Sequence, residues 1–573
     1  MKTNKTSEFL FILLFCLIGL IFTLPAFFSD FYTGHNVLTH LIWSRQFAEQ
    51  FWGGDLYPRW LMNMNDGLGS PAFFFYFPFP FFFTSIFHAP FLQLDPDGWL
   101  QLGMACAAAF SLSGVFCYLW LRTNFGQSAA ALGALVYMLL PYHLLVDLYY
   151  RFAFTEFWAF VFMPLCLLFV EKIQRGERFG FTGTAISYTL LFLTHLPTVL
   201  IFSPVLLCYV VATDQPGNRT RTFLRLSAAL LLGAGLSAFY WVPAISTQAN
   251  VSFSAMLSGD FHFENNFLFS LFESHPKRIE LGEYHSFVTL STLFTLGVGL
   301  ISWLTVRRCP GINNRAKNFW FAIGIFAFFM MLNISTWLWQ ALPLLPRIQF
   351  PYRFNLLLAL AVTFLAASKM QSISQYARSP LSKLWIVITA AFIASQALIA
   401  GGTLYQGASS RWNAENLKTI NRELALSPDV LEYLPRWADP KLFPVTMRED
   451  VLIGLPKLEI KGGEGEVSVV HWSPAQIVLQ SSATTPILLV VKHLYYPNWQ
   501  ARMRAQHQPL VVSPSADHGF ISVEIPPGSQ QVTLTMEPGL EESRGLILSI
   551  LSAAVLIIIS GRIFVRNTKE SRS

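Results

Sequence analysis

The sequence predicts a polytopic α-helical membrane protein that ends in a small, mostly β domain and a last helix. Of its 573 residues, 53% are hydrophobic and only 13% are charged, a balance that soluble domains do not carry. Long apolar runs alternate with short hydrophilic gaps in which Lys and Arg cluster, as in the cytoplasmic loops of membrane proteins. From residue 405 the apolar runs become short and alternating instead, a pattern typical of a β-sandwich.

Composition and motifs exclude several classes of protein. The formal net charge of +6 is modest and gives no reason to expect a nucleic-acid partner. Five of the six cysteines lie in apolar spans and the sixth in a basic loop, so neither a disulfide framework nor a thiolate metal site is expected. The chain contains no P-loop, dinucleotide fingerprint, serine elbow or zinc signature, which leaves a cytosolic nucleotide-using enzyme without support.

The first apolar run, Phe9–Phe28, predicts an uncleaved helix with a cytoplasmic N-terminus, because it is long enough to span and lacks a small-x-small cleavage site. The positive-inside rule orients the remaining runs, and every strongly basic short loop falls on one side. The prediction is about twelve crossings of roughly 20 residues each, with both termini cytoplasmic. The other predicted spans are Gly98–Leu121, Gln127–Val146, Phe157–Val170, two short spans within Phe181–Val211, Leu226–Ile245, Phe287–Val306, Phe319–Ile334, Asn355–Ala367, Leu384–Leu404 and Leu546–Ile559.

One aromatic segment, Phe73–Phe91, is as apolar as a spanning helix but is not expected to cross. Pro78, Pro80 and Pro90 remove helical hydrogen bonds, and the basic loops leave residues 29–97 entirely on the outer face. We expect the segment to lie re-entrant or juxtamembrane, as an aromatic shelf within that outer loop. The predicted division is a transmembrane domain over 1–404, an extracytoplasmic mostly β domain over 405–543, and a final helix with a basic cytoplasmic tail over 544–573.

The first group of candidate site residues follows the first helix. Asp30 and His35 are a carboxylate and an imidazole that suit a general base or a divalent-cation site, although a hydrogen-bonded interface loop explains them equally well. Tyr57 and Arg59 lie in WGGDLYPRW, a stretch typical of a membrane-interface belt. Arg59 either binds a phosphate or extends its guanidinium to the interface.

A second group lies in PYHLLVDLYYRFAFTEFW. Asp147 and Arg151 are four residues apart, so on a helix they share a face and can simply pair. Glu156 lies at the start of an apolar helix, where an ionisable group is costly and usually faces a cavity or a partner. Two interpretations of this group stay open: a buried arginine–carboxylate clamp that is structural, and a direct role in catalysis.

Two further motifs supply candidates for substrate binding. His195 lies at a predicted helix break, where a lone histidine is more often a hydrogen-bonded structural residue. Arg353 belongs to IQFPYRF, beside a proline-broken span, and its guanidinium suits a lipid-linked phosphate. Gln349 of the same motif is a polar neighbour for that ligand.

Five stretches, in this order along the chain, carry a family resemblance: Tyr57–Phe82, Pro141–Leu165, Leu190–Thr198, Gly235–Ala244 and Ile348–Phe354. Together they resemble the bacterial integral membrane proteins related to YfhO, also labelled "6-pyruvoyl-tetrahydropterin synthase related". That family in turn resembles the GT-C class of glycosyltransferases. The terminal β domain, with YYPNW, and the last helix fit the same resemblance.

The resemblance implies a GT-C-like fold, a polyprenyl-phosphate sugar donor, and an acidic residue in the first outer loop and often another in the second. This chain departs from the family at one position. The family motif usually reads Gly-His-Asp, where this chain has Gly34, His35 and Asn36. Asn cannot serve as a base, so either Asp30 takes that role or the chemistry is altered or lost.

The resulting hypothesis is a glycosyltransferase of the bacterial inner (cytoplasmic) membrane that works on the periplasmic or outer face. It transfers a sugar from the lipid-linked donor to a cell-envelope glycan or lipid acceptor, with membrane lipids around it and a divalent cation as a candidate cofactor. Asp30, or else Asp147 or Glu156, deprotonates the acceptor or positions the cation, and Arg151, Arg353 or Arg59 meets the donor phosphate. The alternatives are a transporter or flippase of lipid-linked glycan, and a noncatalytic envelope-assembly protein, which Asn36 favours.

Overall fold

The computed structural model describes residues 5–24, 34–95, 97–252, 257–269, 279–307, 313–376, 391, 394–396, 398, 401–402, 422–443, 445–474, 476–504 and 508–570. Its first two-thirds are helical. The helices are α1 Lys5–Thr23, α2 Val37–Trp52, α3 Phe79–Phe87, α4 Trp99–Leu121, α5 Gln127–Leu139, α6 Phe154–Gln174, α7 Gly180–Phe192, α8 Leu196–Thr213, α9 Arg219–Leu236, α10 Ala238–Ser246, α11 Ile279–Val306, α12 Asn314–Met330, α13 Thr336–Ala341 and α14 Asn355–Tyr376. A π-helix, Tyr142–Tyr150, follows α5.

The chain is a multi-pass membrane protein. Within the described ranges, eight helical stretches are long and apolar enough to cross a membrane, or up to ten if each of two sharply bent pairs counts as one span. The bent pairs are α9 with α10, at 73°, and α12 with the helical turns that end in α13, at 91°. The predicted twelve crossings are not confirmed, because α7 has only 13 residues and the predicted span Leu384–Leu404 lies largely outside the described residues.

The centre of the helical part is formed by α4, α5 with the π-helix, α6 and α14. In three of these spans (the α5–π stretch, α6 and the stretch Pro351–Ser372, which includes most of α14), 89% of the 18-residue apolar window is buried, against 17% in α1. Small residues permit the close packing: a Cβ on Gly133 of α5 would lie 2.9 Å from the Cβ of Ala367 on α14. The peripheral helices instead turn apolar side chains outward, as lipid-facing helices do.

The aromatic segment folds as two short helices, Ala72–Phe75 and α3, separated by an extended residue at Tyr76. They have 4 and 9 residues, which is too short for a helix to cross a bilayer. Phe73 and Phe81 are fully buried, and the Phe73 ring lies 4.7 Å from that of Phe47 on α2. The position of the segment relative to the membrane stays a prediction.

Nine described strands follow, and they form two antiparallel sheets. The four-stranded sheet has the order β1-β4-β8-β7 and the five-stranded sheet the order β2-β3-β9-β5-β6. Side chains alternate between buried and exposed along strands such as β5, as the short alternating runs predict. The strands are β1 Leu458–Gly462, β2 Gly465–Trp472, β3 Gln476–Ala483, β4 Ile487–Leu494, β5 Trp499–Met503, β6 Pro509–Leu510, β7 Val512–Pro514, β8 Phe520–Ile525 and β9 Gly528–Met536, after which comes α15, Leu540–Glu570.

A docking loop of the helical part, residues 60–70, holds the sheets in place. The Leu494 amide donates to the Leu68 carbonyl at 2.8 Å. The Trp60 indole N–H donates to Nε2 of His493 at 2.9 Å, and Nδ1 of the same imidazole lies 2.9 Å from the Gly67 carbonyl oxygen. Asn65 has a φ of 55°, in the left-handed region, which lets this loop turn tightly enough to face the strands.

The same loop also binds the segment that precedes the strands. The Asp429 amide donates to Oδ1 of Asn65 at 2.9 Å. The Asp429 carboxylate accepts from the Trp43 indole of α2 at 3.0 Å and from the Ser70 hydroxyl. Residues 422–430 are therefore fastened to α2 and to the docking loop at once.

Candidate functional site

Four charged side chains converge where the π-helix, the start of α6 and the turn Pro351–Phe354 meet: Asp147, Arg151, Glu156 and Arg353. We call them the charged cluster. The π-helix begins directly after Pro141, and its wider turn carries Asp147 and then Arg151 as its C-cap. Such helices are rare and occur frequently at functional sites. Both carboxylates are fully buried, and both arginine side chains are 9% exposed.

Glu156 is the hub of the cluster. Its Oε2 lies 2.9 Å from Nη1 of Arg151 and 3.0 Å from Nε of Arg353. Its Oε1 accepts from the Tyr142 hydroxyl at 2.7 Å. Three donors therefore satisfy this carboxylate, which offsets the cost of burying its charge.

Asp147 is in a different state. Its Oδ1 lies 3.7 Å from Nη1 of Arg151, which confirms the pairing that the four-residue spacing predicts. Neither carboxylate oxygen has a hydrogen-bond partner in the described part of the chain, although the side chain is 0% exposed. A buried carboxylate without hydrogen bonds is costly, and such groups are typical of sites that await a ligand or a proton.

The two arginines share an aromatic support. The Phe350 ring centroid lies 5.0 Å from Cζ of Arg151 and 4.8 Å from Cζ of Arg353. Arg353 also donates to the Ile348 carbonyl at 2.5 Å and to Oε1 of Gln349 at 3.3 Å. Among the described residues, Nε and Nη2 of Arg151 carry no hydrogen bond, nor does Nη2 of Arg353. These groups are free for an anionic ligand.

The backbone is strained next to both arginines. Phe152, directly after Arg151, has a φ of 51°, and Gln349, which contacts Arg353, has a φ of 66°. Bulky residues rarely adopt this left-handed conformation, which costs on the order of 1–3 kcal/mol and clusters at functional sites. The surrounding structure offsets this cost and keeps both arginines in place.

The start of α2 docks on the end of the π-helix. The His35 amide donates to the Tyr150 carbonyl at 3.1 Å, and the Asn36 amide donates to the Arg151 carbonyl at 3.2 Å. The His35 ring lies edge-on to Tyr150 at 5.2 Å. His35 and Asn36 are exposed. The predicted outer-loop group and the second group are thus adjacent, while Asp30 lies outside the described residues.

His195 lies beside the cluster without bonding to it. It is the N-cap residue of α8, at the predicted helix break, and its Nδ1 lies 2.7 Å from the Thr198 hydroxyl. The Phe77 ring lies edge-on at 5.1 Å.

Tyr57 and Arg59 lie away from the charged cluster. The Arg59 guanidinium stacks on the Tyr57 ring at 4.4 Å and donates to the Phe239 carbonyl at 2.9 Å. The Tyr57 hydroxyl donates to the Phe73 carbonyl at 3.2 Å. No contact among the described residues joins either side chain to the charged cluster.

Tyr433, which the sequence reasoning did not single out, reaches this region from the C-terminal part. Its ring lies 5.9 Å from Trp43, 6.1 Å from Tyr76 and, stacked, 6.2 Å from Phe75. No local signal in the sequence indicates this contact, because it depends on how the segment before the strands docks.

The described residues do not provide a metal site. No group of three or more His, Cys, Asp or Glu side chains within the described ranges is arranged to hold a metal ion. The two buried carboxylates lie beside two guanidinium groups, a donor set that does not suit a divalent cation. The cluster is therefore a site of acids and arginines.

No family model and no curated protein matches the chain. It is similar to solved structures of the mycobacterial arabinofuranosyltransferase AftD. One is 14% identical, with a TM-score of 0.42 over 69% of this chain and 27% of that chain. Another, of a mutant of the same enzyme, is 12% identical, with a TM-score of 0.47 over 93% of this chain and 42% of that chain. The chain thus spans less than half the length of either.

Proposed function

We propose that the protein is a membrane glycosyltransferase that uses the charged cluster to move a sugar from a polyprenyl-phosphate donor to a hydroxyl acceptor. The observation that carries this is Asp147, a fully buried carboxylate whose oxygens have no hydrogen-bond partner among the described residues. Two arginines lie beside it, one at 3.7 Å. A free base next to unused guanidinium donors suits a reaction that removes a proton and releases a phosphate.

In the proposed step, Asp147 takes the proton of the acceptor hydroxyl, and the acceptor oxygen attacks C1 of the donor sugar. The bond between C1 and the phosphate oxygen breaks, and the polyprenyl phosphate leaves with one additional negative charge. Arg151 and Arg353 meet that developing charge through the nitrogens that Glu156 leaves unused. Atoms and charges balance without another reactant.

Glu156 has a positioning role in this proposal. With three donors already on its carboxylate, it has little capacity to take a proton. It holds both guanidinium groups in place for the phosphate. His35, Gln349 and His195 line or border this region and stay candidates, and Asp30 stays an alternative base.

The finer features of the proposal come from the sequence, through its composition, the placement of its basic loops and the family resemblance. They are a GT-C-like fold, the division at residues 404 and 543, the aromatic shelf as the bed of the polyprenyl chain, and a cell-envelope glycan or lipid acceptor. The proposed location is the bacterial inner membrane, with both termini cytoplasmic and the site on the outer face. Tyr57 and Arg59 then contact the donor lipid away from the reacting atoms.

The test uses the full chain in proteoliposomes with radiolabelled polyprenyl-phosphate sugars and an envelope glycan extract. Asp147→Asn is expected to lower transfer at least a hundredfold while the protein elutes normally on size exclusion. Asp55→Asn, another carboxyl-to-amide change away from the cluster, is the matched control and is expected to transfer normally. Undiminished transfer by Asp147→Asn would remove this carboxylate from the mechanism.

The same proteoliposomes separate transfer from transport. A new glycosidic bond that depends on Asp147 supports the transferase. Movement of labelled lipid across the bilayer without any new bond would favour the transporter instead. The glycan profile of a deletion strain then identifies the acceptor class.

A further inference from the structure

A cavity lies apart from the charged cluster, between the C-terminal half of α2 and the start of α4. It holds about 430 Å³, within the range of about 300–1,000 Å³ typical of small-molecule sites. Its walls come from α2, from the end of α3 with the loop that follows, and from α4. The polar residues of its lining are Arg45, Glu49, His88, Gln93, Asp95 and Gln101.

Gln101 is the most informative of these side chains. It is only 3% exposed, and its Oε1 has no hydrogen-bond partner among the described residues. Its Nε2 donates to the Asp95 carbonyl at 2.8 Å, which fixes the orientation of the amide. A buried carbonyl that is held in place and left without a donor is costly unless something binds it.

Two more buried atoms of the lining have no hydrogen bond in the described part of the chain: Nε of Arg45 and Nε2 of His88. Nε of Arg45 lies 3.6 Å from Oε1 of Glu49, and Nη2 donates to the Leu424 carbonyl at 3.2 Å. The guanidinium is therefore held at the wall of the cavity, with its Nε turned toward the Glu49 carboxylate. The cavity presents donors and acceptors together.

The mouth of the cavity is aromatic and apolar. The Trp52 indole donates to the Ser85 carbonyl at 2.8 Å, which fixes its ring at the wall. The Phe91 ring lies edge-on to it at 6.2 Å, and Phe91 and Ile86 are 77% and 55% exposed. Apolar surface beside a polar cavity suits an amphiphile whose tail stays outside.

We infer that this cavity binds the sugar headgroup of a membrane amphiphile. A hydroxyl group both donates and accepts, so it matches a lining that offers Gln101 Oε1 as an acceptor and, beside it, the paired Arg45 guanidinium and Glu49 carboxylate as a donor and a second acceptor. A phosphate headgroup would meet Arg45 but would be repelled by the neighbouring carboxylate of Glu49. The fixed face of Trp52 gives a surface on which a sugar ring can stack. This site does not depend on the proposed transfer reaction.

Equilibrium binding tests the inference on the full chain, purified in a zwitterionic detergent because a maltoside would occupy the cavity. Octyl glucoside, titrated below its micellar concentration, is expected to quench tryptophan fluorescence saturably. Octyl phosphocholine, which has the same chain and a phosphate headgroup, is expected to produce no saturable quenching. Equal binding of the two, or no saturable binding of octyl glucoside, would overturn the inference.

Three variants test whether octyl glucoside binds in this cavity. Gln101→Met removes the amide at similar volume and is expected to weaken octyl glucoside binding at least tenfold. Gln46→Met, the same change at a buried glutamine of α2 outside the cavity lining, is the matched control and is expected to bind normally. Glu49→Ala, at a side chain that is 54% exposed and thus safe for folding, is expected to weaken binding as well. Unchanged affinity in both Gln101→Met and Glu49→Ala contradicts the site.

Discussion

Trp60 donates its indole N–H to Nε2 of His493 on β4, at 2.9 Å, and this bond joins the helical part to the sheets. The other imidazole nitrogen, Nδ1, lies 2.9 Å from the Gly67 carbonyl. Both contacts are satisfied only by a neutral ring with its proton on Nδ1. Burial accordingly lowers the pKa of His493 to about 4.

Acid is therefore expected to weaken this junction. Because the folded-state pKa of His493 lies below its ordinary value of 6.5, the stabilisation is complete above pH 6.5 and is lost as the pH falls through about 4. The difference is on the order of 3 kcal/mol. Thermal unfolding from pH 7 to pH 4 measures it. His493→Gln is expected to flatten the profile, whereas His471→Gln, at an exposed histidine of β2, should leave it unchanged.

Asp429 contributes in the opposite direction. Burial raises the pKa of this carboxyl to about 6 from its ordinary 3.8, with the charge of Glu432 adding to the effect. Its contribution to stability is therefore present at low pH and is lost as the pH rises from about 4 to about 6. The melting temperature of the wild type minus that of Asp429→Asn should fall across this range. The exposed Asp450→Asn variant should show no such trend.

The two buried carboxylates should respond differently to loss of charge. Glu156→Gln leaves two buried guanidinium groups without their shared anion and is expected to lower the unfolding free energy by about 3–5 kcal/mol. Asp147→Asn replaces a buried carboxyl group that has no hydrogen bonds in the described structure, so stability should stay equal or rise. Denaturant unfolding of the two variants compares them. Equal destabilisation would contradict the different roles given to the two acids.

Gly34 tests the contact between the start of α2 and the π-helix. A Cβ at this position would lie 2.5 Å from the Cβ of Phe152, so Gly34→Ala must displace one of the two segments. We expect a lower melting temperature and reduced transfer. Gly217→Ala, where no atom lies within 4 Å of the added Cβ, should match the wild type. Normal behaviour of Gly34→Ala would show that this docking is dispensable.

Local patterns in the sequence predicted the class of protein and many of its elements. The alternating runs Val467–Val470, Ile477–Leu479, Ile487–Val491, Ile521–Ile525 and Val532–Met536 all fall within strands. Period-two alternation indicates that one face of a strand is buried, so the strand can be predicted without knowing its partner strand. The break near His195 was likewise visible, because Pro197 disfavours a continuous helix.

Other features depend on contacts that no local pattern contains. Glu156 and Arg353 are separated by 197 residues, and both buried acids look alike as carboxylates in apolar surroundings. The two acids differ only in the number of donors that they accept from: three for Glu156 and none among the described residues for Asp147. Asn65 begins an Asn-Asp-Gly sequence that is typical of a turn. The role of this loop in docking the sheets, however, follows from Asp429 and His493, which lie far along the chain.

The docking loop, residues 60–70, acquires its partners long after it is synthesised. Trp60 and His493 are separated by 433 residues, and Asn65 and Asp429 by 364. Ribosomes add roughly 5–20 residues per second, so this loop waits on the order of 20–90 s after the first helices enter the membrane. During that time Trp60 and Asn65 lack these hydrogen-bond partners. Synthesis of Asp429 and His493, rather than insertion of the first helices, therefore sets the moment at which these contacts can form.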